Sequence, residues 1–179
     1  DRDASVDWIV YTKIIDGSLD YFFLNTNASK ADSGLTGPNS SIWNFNSASS
    51  YSNTSSRNYI MYNWHSVEGY SKFTKYTGNG DADGPFIYTG MQPTIIWIKS
   101  SSASGDWNEF TVHDTSINTS YISLKQNPVA TRLEQNTGNN RATDCSVDFL
   151  SNGFKIRTSD SHINNSGTSY IVMCWGSVK

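Results

Sequence analysis

Short runs of β-branched and aromatic residues alternate along this chain with clusters of Gly, Asn, Ser and Asp, from one end to the other. The runs are "DWIVYTKI", "LDYFFLNT", "SSIWNF", "NYIMYNWHSV", "KFTKYTG", "PFIYTG", "TIIWIKSS", "NEFTVHD", "SYISLKQ", "SVDFLS", "GFKIRTS" and "SYIVMCWGSV". Each is the length of a strand and is bounded by turn formers, so each predicts one. No stretch places apolar residues at i, i+3, i+4 and i+7 over eleven residues, which leaves no long helix to expect. Twelve strands exceed one small sheet, so the pattern predicts an all-β fold. The expected form is an antiparallel β-sandwich of jelly-roll or concanavalin-like type.

Alternation within the runs adds detail. In "GFKIRTS", Phe154 and Ile156 face one way and Lys155 and Arg157 the other, as in a strand with one wet face. "TIIWIK" and "YIVMCW" are continuously apolar and suit central strands covered on both faces. Between Ser151 and Phe154, "SNGF" predicts a tight hairpin, its Asn-Gly pair accepting positive φ at the two central positions.

The pattern also repeats on a larger scale. "NTSSRNYIMYNWHSV" from Asn53 aligns with "NNSGTSYIVMCWGSV" from Asn164 at a constant offset of 111. "DWIVY" from Asp7 resembles "DWNEF" from Asp106 at an offset of 99. Repeats of this length are duplicated units rather than solenoid turns. The reading is a partial N-terminal β repeat at residues 1–75 and a C-terminal β-sandwich domain at residues 76–179. The first copy lacks counterparts of the segment Tyr76 to Ser104, so the duplication is incomplete or the chain comes from a larger array. By the repeat, Trp64 and Trp175 are equivalent strand-end residues expected in the core, with Trp97 of "TIIWIK" beside them.

Composition narrows the function. Charged residues are 16% of the chain, against roughly 25% in an average globular domain. Aromatics reach 13%, which marks a folded chain with a polar, uncharged surface. The net charge of −3 and the scattered Lys and Arg offer no basic stripe for nucleic acid. No apolar run approaches the length of a membrane-spanning helix, so no membrane insertion is expected. Cys145 and Cys174, without Cys-x-x-Cys spacing, make zinc improbable and are read as buried thiols ahead of a disulfide.

A family resemblance rests on particular motifs. They run Tyr76 to Gly80 (Tyr-Thr-Gly-Asn-Gly), Gly84 to Phe86, Pro93 to Lys99, Asp106-Trp107, Asn152 to Phe154, and Tyr170 to Trp175. In this order they resemble a domain of marine and cyanobacterial phage proteins, chiefly tail-fibre and other structural components. The resemblance is dense from His65 onward, and "GDWNEFTVHD" departs from it where a more hydrophobic strand is expected. It implies a lectin-like β-sandwich located in the virion, with other virion proteins as partners and a homo-oligomer, a trimer favoured. It implies no catalytic residues and no cofactor.

Candidate chemistry is sparse. Asn79, Asp81, Asp83 and Gly84 match the first half of a calcium loop, but the twelfth position, where a bidentate Glu belongs, is Gly90. Asn79, Asp81 and Asp83 are carried forward as candidate metal ligands, against the reading of the stretch as a glycine-rich seam between β units. His65, His113 and His162 are too dispersed for a metal cluster, and no Gly-x-Ser-x-Gly elbow is present. The chain is therefore expected not to be an enzyme. Aromatic faces stack on sugars, and Trp43 and Tyr51, in a Ser/Asn-rich stretch, are the candidate contacts for a host-surface glycan or a partner protein. The expected function is that of a phage virion structural protein. A secreted bacterial lectin-like adhesin module is the alternative, and a jelly-roll polysaccharide-cleaving enzyme the third reading.

Overall fold

The computed structural model describes residues 1–45, 49, 51–101, 108–111, 132–134, 140–142 and 146–176; within 102–145 only strand backbone is described. The structure is nearly all β, with three antiparallel sheets and, among the described residues, a single four-residue helix. The first sheet is a meander of β1 (Ile9–Thr12), β2 (Asp20–Phe23) and β3 (Ala31–Asp32). The central sheet draws on β4 (Ser71–Thr77), β6 (Pro93–Ser100), β7 (Asn108–Thr111), β8 (Arg132–Glu134), β9 (Asn140–Ala142) and β12 (Ser169–Gly176). Its order is β4-β12-β6-β7-β8-β9. The third sheet is β10 (Val147–Leu150), β11 (Gly153–Ile156) and β5 (Phe86–Tyr88), in the order β10-β11-β5. The helix α1 (Ser161–Asn164) precedes β12.

Side chains alternate across a strand, and β12 uses both faces. Tyr170, Val172 and Cys174 pack with Ile96 and Ile98 of β6 against Ile87, Val147, Phe149, Phe154 and Ile156 of the third sheet. On the opposite face, Ile171 and Met173 pack against Phe22 of the first sheet, with Val10, Leu24, Phe73, Trp97 and Trp175 around them. The central sheet is thus covered on both sides at β12, which is why "YIVMCW" contains no polar alternation. In β11, Phe154 and Ile156 are fully buried while Arg157, just beyond the strand, is exposed, matching the sequence pattern. Cys174 is a free thiol, and burial pushes it up to about 12. Cys145 lies outside the described residues.

The "SNGF" hairpin forms, but for a different reason than its Asn-Gly pair suggested. Leu150 pairs with Gly153, so Ser151 and Asn152 make the turn and Gly153 is the first strand residue. Gly153 does not have positive φ. Its glycine is required by proximity, since a Cβ there would lie 2.2 Å from the Ile87 carbonyl oxygen.

The sequence repeat has a structural counterpart at both offsets. β1 and β7 are four-residue strands that each start directly after an Asp-Trp pair, 99 positions apart. At the other offset the turn preceding β12 recurs in four of its hydrogen bonds. Asn164 and Ile163 amides donate to the Asp160 carbonyl at 2.8 and 3.3 Å; Asn53 and Ser52 amides donate to the Ser49 carbonyl at 2.9 and 3.2 Å. The His162 amide meets the Asp160 side chain at 2.8 Å, as the Tyr51 amide meets the Ser49 hydroxyl at 3.3 Å. The Tyr170 hydroxyl accepts from the Asn165 amide at 2.8 Å, and the Tyr59 hydroxyl from the Thr54 amide at 3.0 Å.

Both turns also pass through the left-handed region at the same place, Gly167 in one and Ser56 in the other. Ser56 is the only positive-φ residue other than glycine among the described residues, at φ 63°. An L side chain there is strained, whereas glycine adopts the conformation freely. Ser56→Gly is therefore expected to raise stability by about 0.5 kcal/mol, the relief of strain exceeding the added freedom of the unfolded chain. Urea unfolding should show a higher midpoint at an unchanged slope.

The repeat breaks immediately afterwards. Where the second copy continues into β12, residues 58–66 form no strand, and "SSIWNF" is not a strand in its described part either. Trp64 is not a core residue: it is 56% exposed, with Ile60, Met61 and Tyr62 exposed beside it. The sequence contains the reason. In the repeat, Asn63 and His65 align with buried Cys174 and Gly176 of β12, and a Cβ at Gly176 would already sit 2.9 Å from the Gln92 carbonyl oxygen. The first copy cannot occupy a β12-like slot inside its own core. β4 runs unbroken through position 75, so the central sheet draws its edge strand from the chain on both sides of it.

Candidate functional site

The loop Gly78 to Gly84 is organised by the carboxamide of one fully buried residue, Asn164. Its two amide hydrogens are shared among the Asn79 Oδ1, the Asp81 carbonyl and the Thr158 carbonyl at 3.0, 2.8 and 2.7 Å. Its Oδ1 accepts from the Asn79 amide at 2.9 Å. The loop then climbs through two side-chain turns, the Asp81 amide bonding Asn79 Oδ1 and the Asp83 amide bonding Asp81 Oδ1. Gly78 fits because a Cβ there would meet the Asn165 carbonyl oxygen at 2.4 Å.

The three residues expected as metal ligands are therefore brought together but occupied. Asn79 Oδ1 and one carboxylate oxygen of Asp81, Oδ1, accept from the loop's own amides. Asp83 faces two cations, Lys155 Nζ at 3.0 Å and Arg157 Nη1 at 3.3 Å. The Lys155 hydrogen bond, then its charge, holds the Asp83 carboxyl below the usual carboxylate range. No group of three His, Cys, Asp or Glu that could hold a metal ion occurs among the described residues. The arrangement is a latch fixing β4 and β11 to the turn before β12.

Trp43 and Tyr51 are also brought together, though not as free-standing contacts. On the outer face of the first sheet, Tyr11, Tyr21 and Phe23 form a row. Trp43 and Phe45 stack on each other at 5.8 Å and pack on Tyr11, while Tyr51 lies 4.8 Å from Phe23. The Tyr11 hydroxyl shares a 2.8 Å hydrogen bond with Ser52 Oγ. Trp43 and Tyr51 are both half-buried and form a lid over that face.

A second aromatic surface was not read from the sequence. Trp175 is met edge-on by Phe73, Trp97 and Trp64 at 5.6, 5.7 and 6.4 Å, so Trp64 extends the buried cluster to the surface. Beyond it Tyr62 stacks on Trp64 at 6.0 Å and an interplanar angle of 16°. With Ile60, Met61, Val67 and Tyr70 this makes an exposed apolar ridge between the Ser56 turn and β4. Equating Trp64 with Trp175 hid it; the polar Asn63 and His65 beside Trp64 were the signal.

The acids of the described part are largely committed to structure. Asp16 and buried Asp20 clamp Lys30 at 2.9 and 2.8 Å, Asp148 pairs with Arg157, and Asp160 bonds His162. His65 is exposed and bonded to the neighbouring Ser66 carbonyl. His113, Glu109, Glu134, Asp144 and the Asp106-Trp107 pair are not among the residues whose side chains are described. The described surface presents exposed aromatic faces at Tyr62 and Trp64 and backbone without strand partners at residues 60–64.

Compared with known families, the chain matches a domain of unknown function, DUF7483, over residues 1–177. It belongs to the DUF7483 family. No curated protein and no solved structure matches it. The DUF7483 match runs across the first sheet, the exposed ridge and the latch. No helix among the described residues of this DUF7483 chain is long and apolar enough to cross a membrane.

Proposed function

We propose that this DUF7483 protein is a structural component of a phage-type virion, a tail fibre, head fibre or capsid decoration, acting by non-covalent assembly. One observation carries the reading: six of the exposed large apolar side chains, Ile60, Met61, Tyr62, Trp64, Val67 and Tyr70, fall within one stretch of eleven residues. Large apolar side chains exposed together on one short stretch of chain are the kind of surface that marks an interaction site. The motif resemblance from Tyr76 to Trp175 supplies the setting, and other virion proteins are the partners that setting offers.

Mass spectrometry and cryo-electron microscopy of purified particles test it. The expected result is the chain in intact virions at a multiple set by particle symmetry; its absence from particles overturns the assignment. A lectin-like role is the second reading, favoured by the near-parallel, exposed rings of Tyr62 and Trp64, to which a sugar face can stack. It requires saturable binding on a glycan array that falls at least about tenfold in Trp64→Ala, the loss expected for one stacking contact. A blank array removes it.

A further inference from the structure

Residues Asn58 to Trp64 have the local structure that leads into a strand, and no strand to pair with. The turn before them reproduces the turn before β12, including the Tyr59 hydroxyl bond to the Thr54 amide. β12 receives a strand on each side, β4 and β6. The segment beginning at Tyr59 receives none, and Ile60 to Trp64 make no backbone hydrogen bond among the described residues. Both ends are tied down. At one end, the Asn58 carbonyl accepts from the Arg2 amide at 2.9 Å and the Asn58 amide donates to Asp3. At the other, the His65 carbonyl accepts from the Ser71 hydroxyl at 2.9 Å. The segment is therefore held at both ends.

The same chain carries a short open edge at the far end of β4. β4 ends the central sheet, and its even-numbered residues face β12, as the bonds Gly176 to Tyr70 and Gly78 to Thr168 show at either end. The odd-numbered residues face outward. Ser71 exchanges two bonds with Val67, and the Phe73 amide is taken by Ser66 Oγ at 3.1 Å. That second contact ends the hairpin: Ser66 replaces a strand partner and turns the preceding chain away. The outward backbone groups of Lys75 and Thr77 have no partner among the described residues. A well-paired sheet with such an edge is a template for another strand.

We propose that the Asn58–Trp64 segment of one copy adds as a strand to the outer edge of β4 in a second copy of this chain. A second copy is the fitting occupant because the inner edge of β4 already binds a Tyr-Ile-x-x-x-Trp strand, β12, and the segment is the chain's other such strand. β4 would then lie between two of them. Ile60, Tyr62 and Trp64 then share one face of the added strand and Met61 the other. The contact joins two different surfaces, so it closes reciprocally about a two-fold axis or head to tail in a ring. The inference deepens the assembly reading and rests on it only in supposing that the ridge is an assembly surface; it concerns the isolated protein, where virion location plays no part.

Sedimentation velocity and amide exchange of the purified chain test it. The wild type is expected to be oligomeric at micromolar concentration, with exchange at Ile60 to Trp64 slowed at least about tenfold relative to a dissociated variant. Tyr62→Pro removes a donor from the exposed segment, and Lys75→Pro one from the β4 edge. Each is expected to give monomer, and Tyr62→Pro, which lies in no strand, to keep the wild-type circular dichroism. A peptide of residues 58–65 in excess should likewise dissociate the wild type. A monomeric wild type overturns the proposal, as does an oligomer indifferent to both Tyr62→Pro and the peptide. A chain present in virions yet monomeric alone would defeat this inference while leaving the assembly reading intact.

Discussion

Replacing Asn164 with alanine is expected to destabilise the protein by about 3 kcal/mol, lowering the thermal midpoint by roughly 6–12 °C. The side chain is fully buried and its carboxamide bonds Asn79, Asp81 and Thr158 at once. Losing it strands the Asn79 amide and the Thr158 and Asp81 carbonyls, and each stranded group that water cannot reach costs about 1–3 kcal/mol. The damage should spread along the latch, because Asp83 meets Lys155 and Arg157 only while the loop holds its shape. Asn164→Asp is the sharper variant. At neutral pH its carboxylate keeps an acceptor for the Asn79 amide but turns negative charge toward three acceptor oxygens, so it should be at least as destabilising as alanine. Thermal melts of the two variants check this, with amide exchange at Gly80 and Asp83 rising in both. A midpoint within a degree or two of wild type for Asn164→Ala would mean that the latch carries little stability.

Much of the fold was legible in the sequence, because burial on two faces leaves a plain mark. "YIVMCW" and "TIIWIK" have no polar alternation, and they form β12 and β6, adjacent interior strands of the six-stranded sheet whose residues enter the cores on both of its faces. "GFKIRTS" alternates, and β11 has one core face. What the pattern could not convey was pairing. "NYIMYNWHSV" is as strand-like as "SYIVMCWGSV", yet only one of them finds neighbouring strands within the chain. Local propensity describes a residue's preference, whereas strand formation depends on an available edge. The short β3, β8 and β9 were missed for the converse reason: they form because an edge is offered, with little propensity of their own.

The candidate site was legible in part and for the wrong reasons. Asn79, Asp81 and Asp83 have the spacing of a cation loop because side-chain turns and calcium loops both need an oxygen at every second position. Spacing does not reveal that a buried asparagine eighty-five positions away and two basic residues on or just beyond β11 satisfy those oxygens first. Trp43 and Tyr51 are indeed neighbours, but the row of Tyr11, Tyr21 and Phe23 beneath them makes them a lid. Trp64, assigned to the core by its repeat partner, stands at the surface.

Gly153→Ala is expected to cost about 3 kcal/mol, as much as the loss of Asn164, although it adds a single methyl group. Its Cβ would lie 2.2 Å from the Ile87 carbonyl oxygen and 2.9 Å from the Phe86 ring, and the first of these is backbone, which cannot rotate away. The contact lies inside the pairing of β11 with β5, where Gly153 stands opposite Tyr88 and Phe154 opposite Ile87. Relief therefore requires β5 to separate from β11 at that point. Separation weakens the bonds from the Thr89 and Gly90 amides to the Asn152 carbonyl and opens the packing of Ile87 on Phe154. Gly167→Ala is the matched control: nothing lies within 4 Å of its Cβ, so it bears only the strain of positive φ, about 1 kcal/mol. Urea unfolding should rank Gly153→Ala well below Gly167→Ala. The reverse order would mean that β5 yields easily, and that the third sheet is held by β10 and β11 with β5 as a dispensable edge.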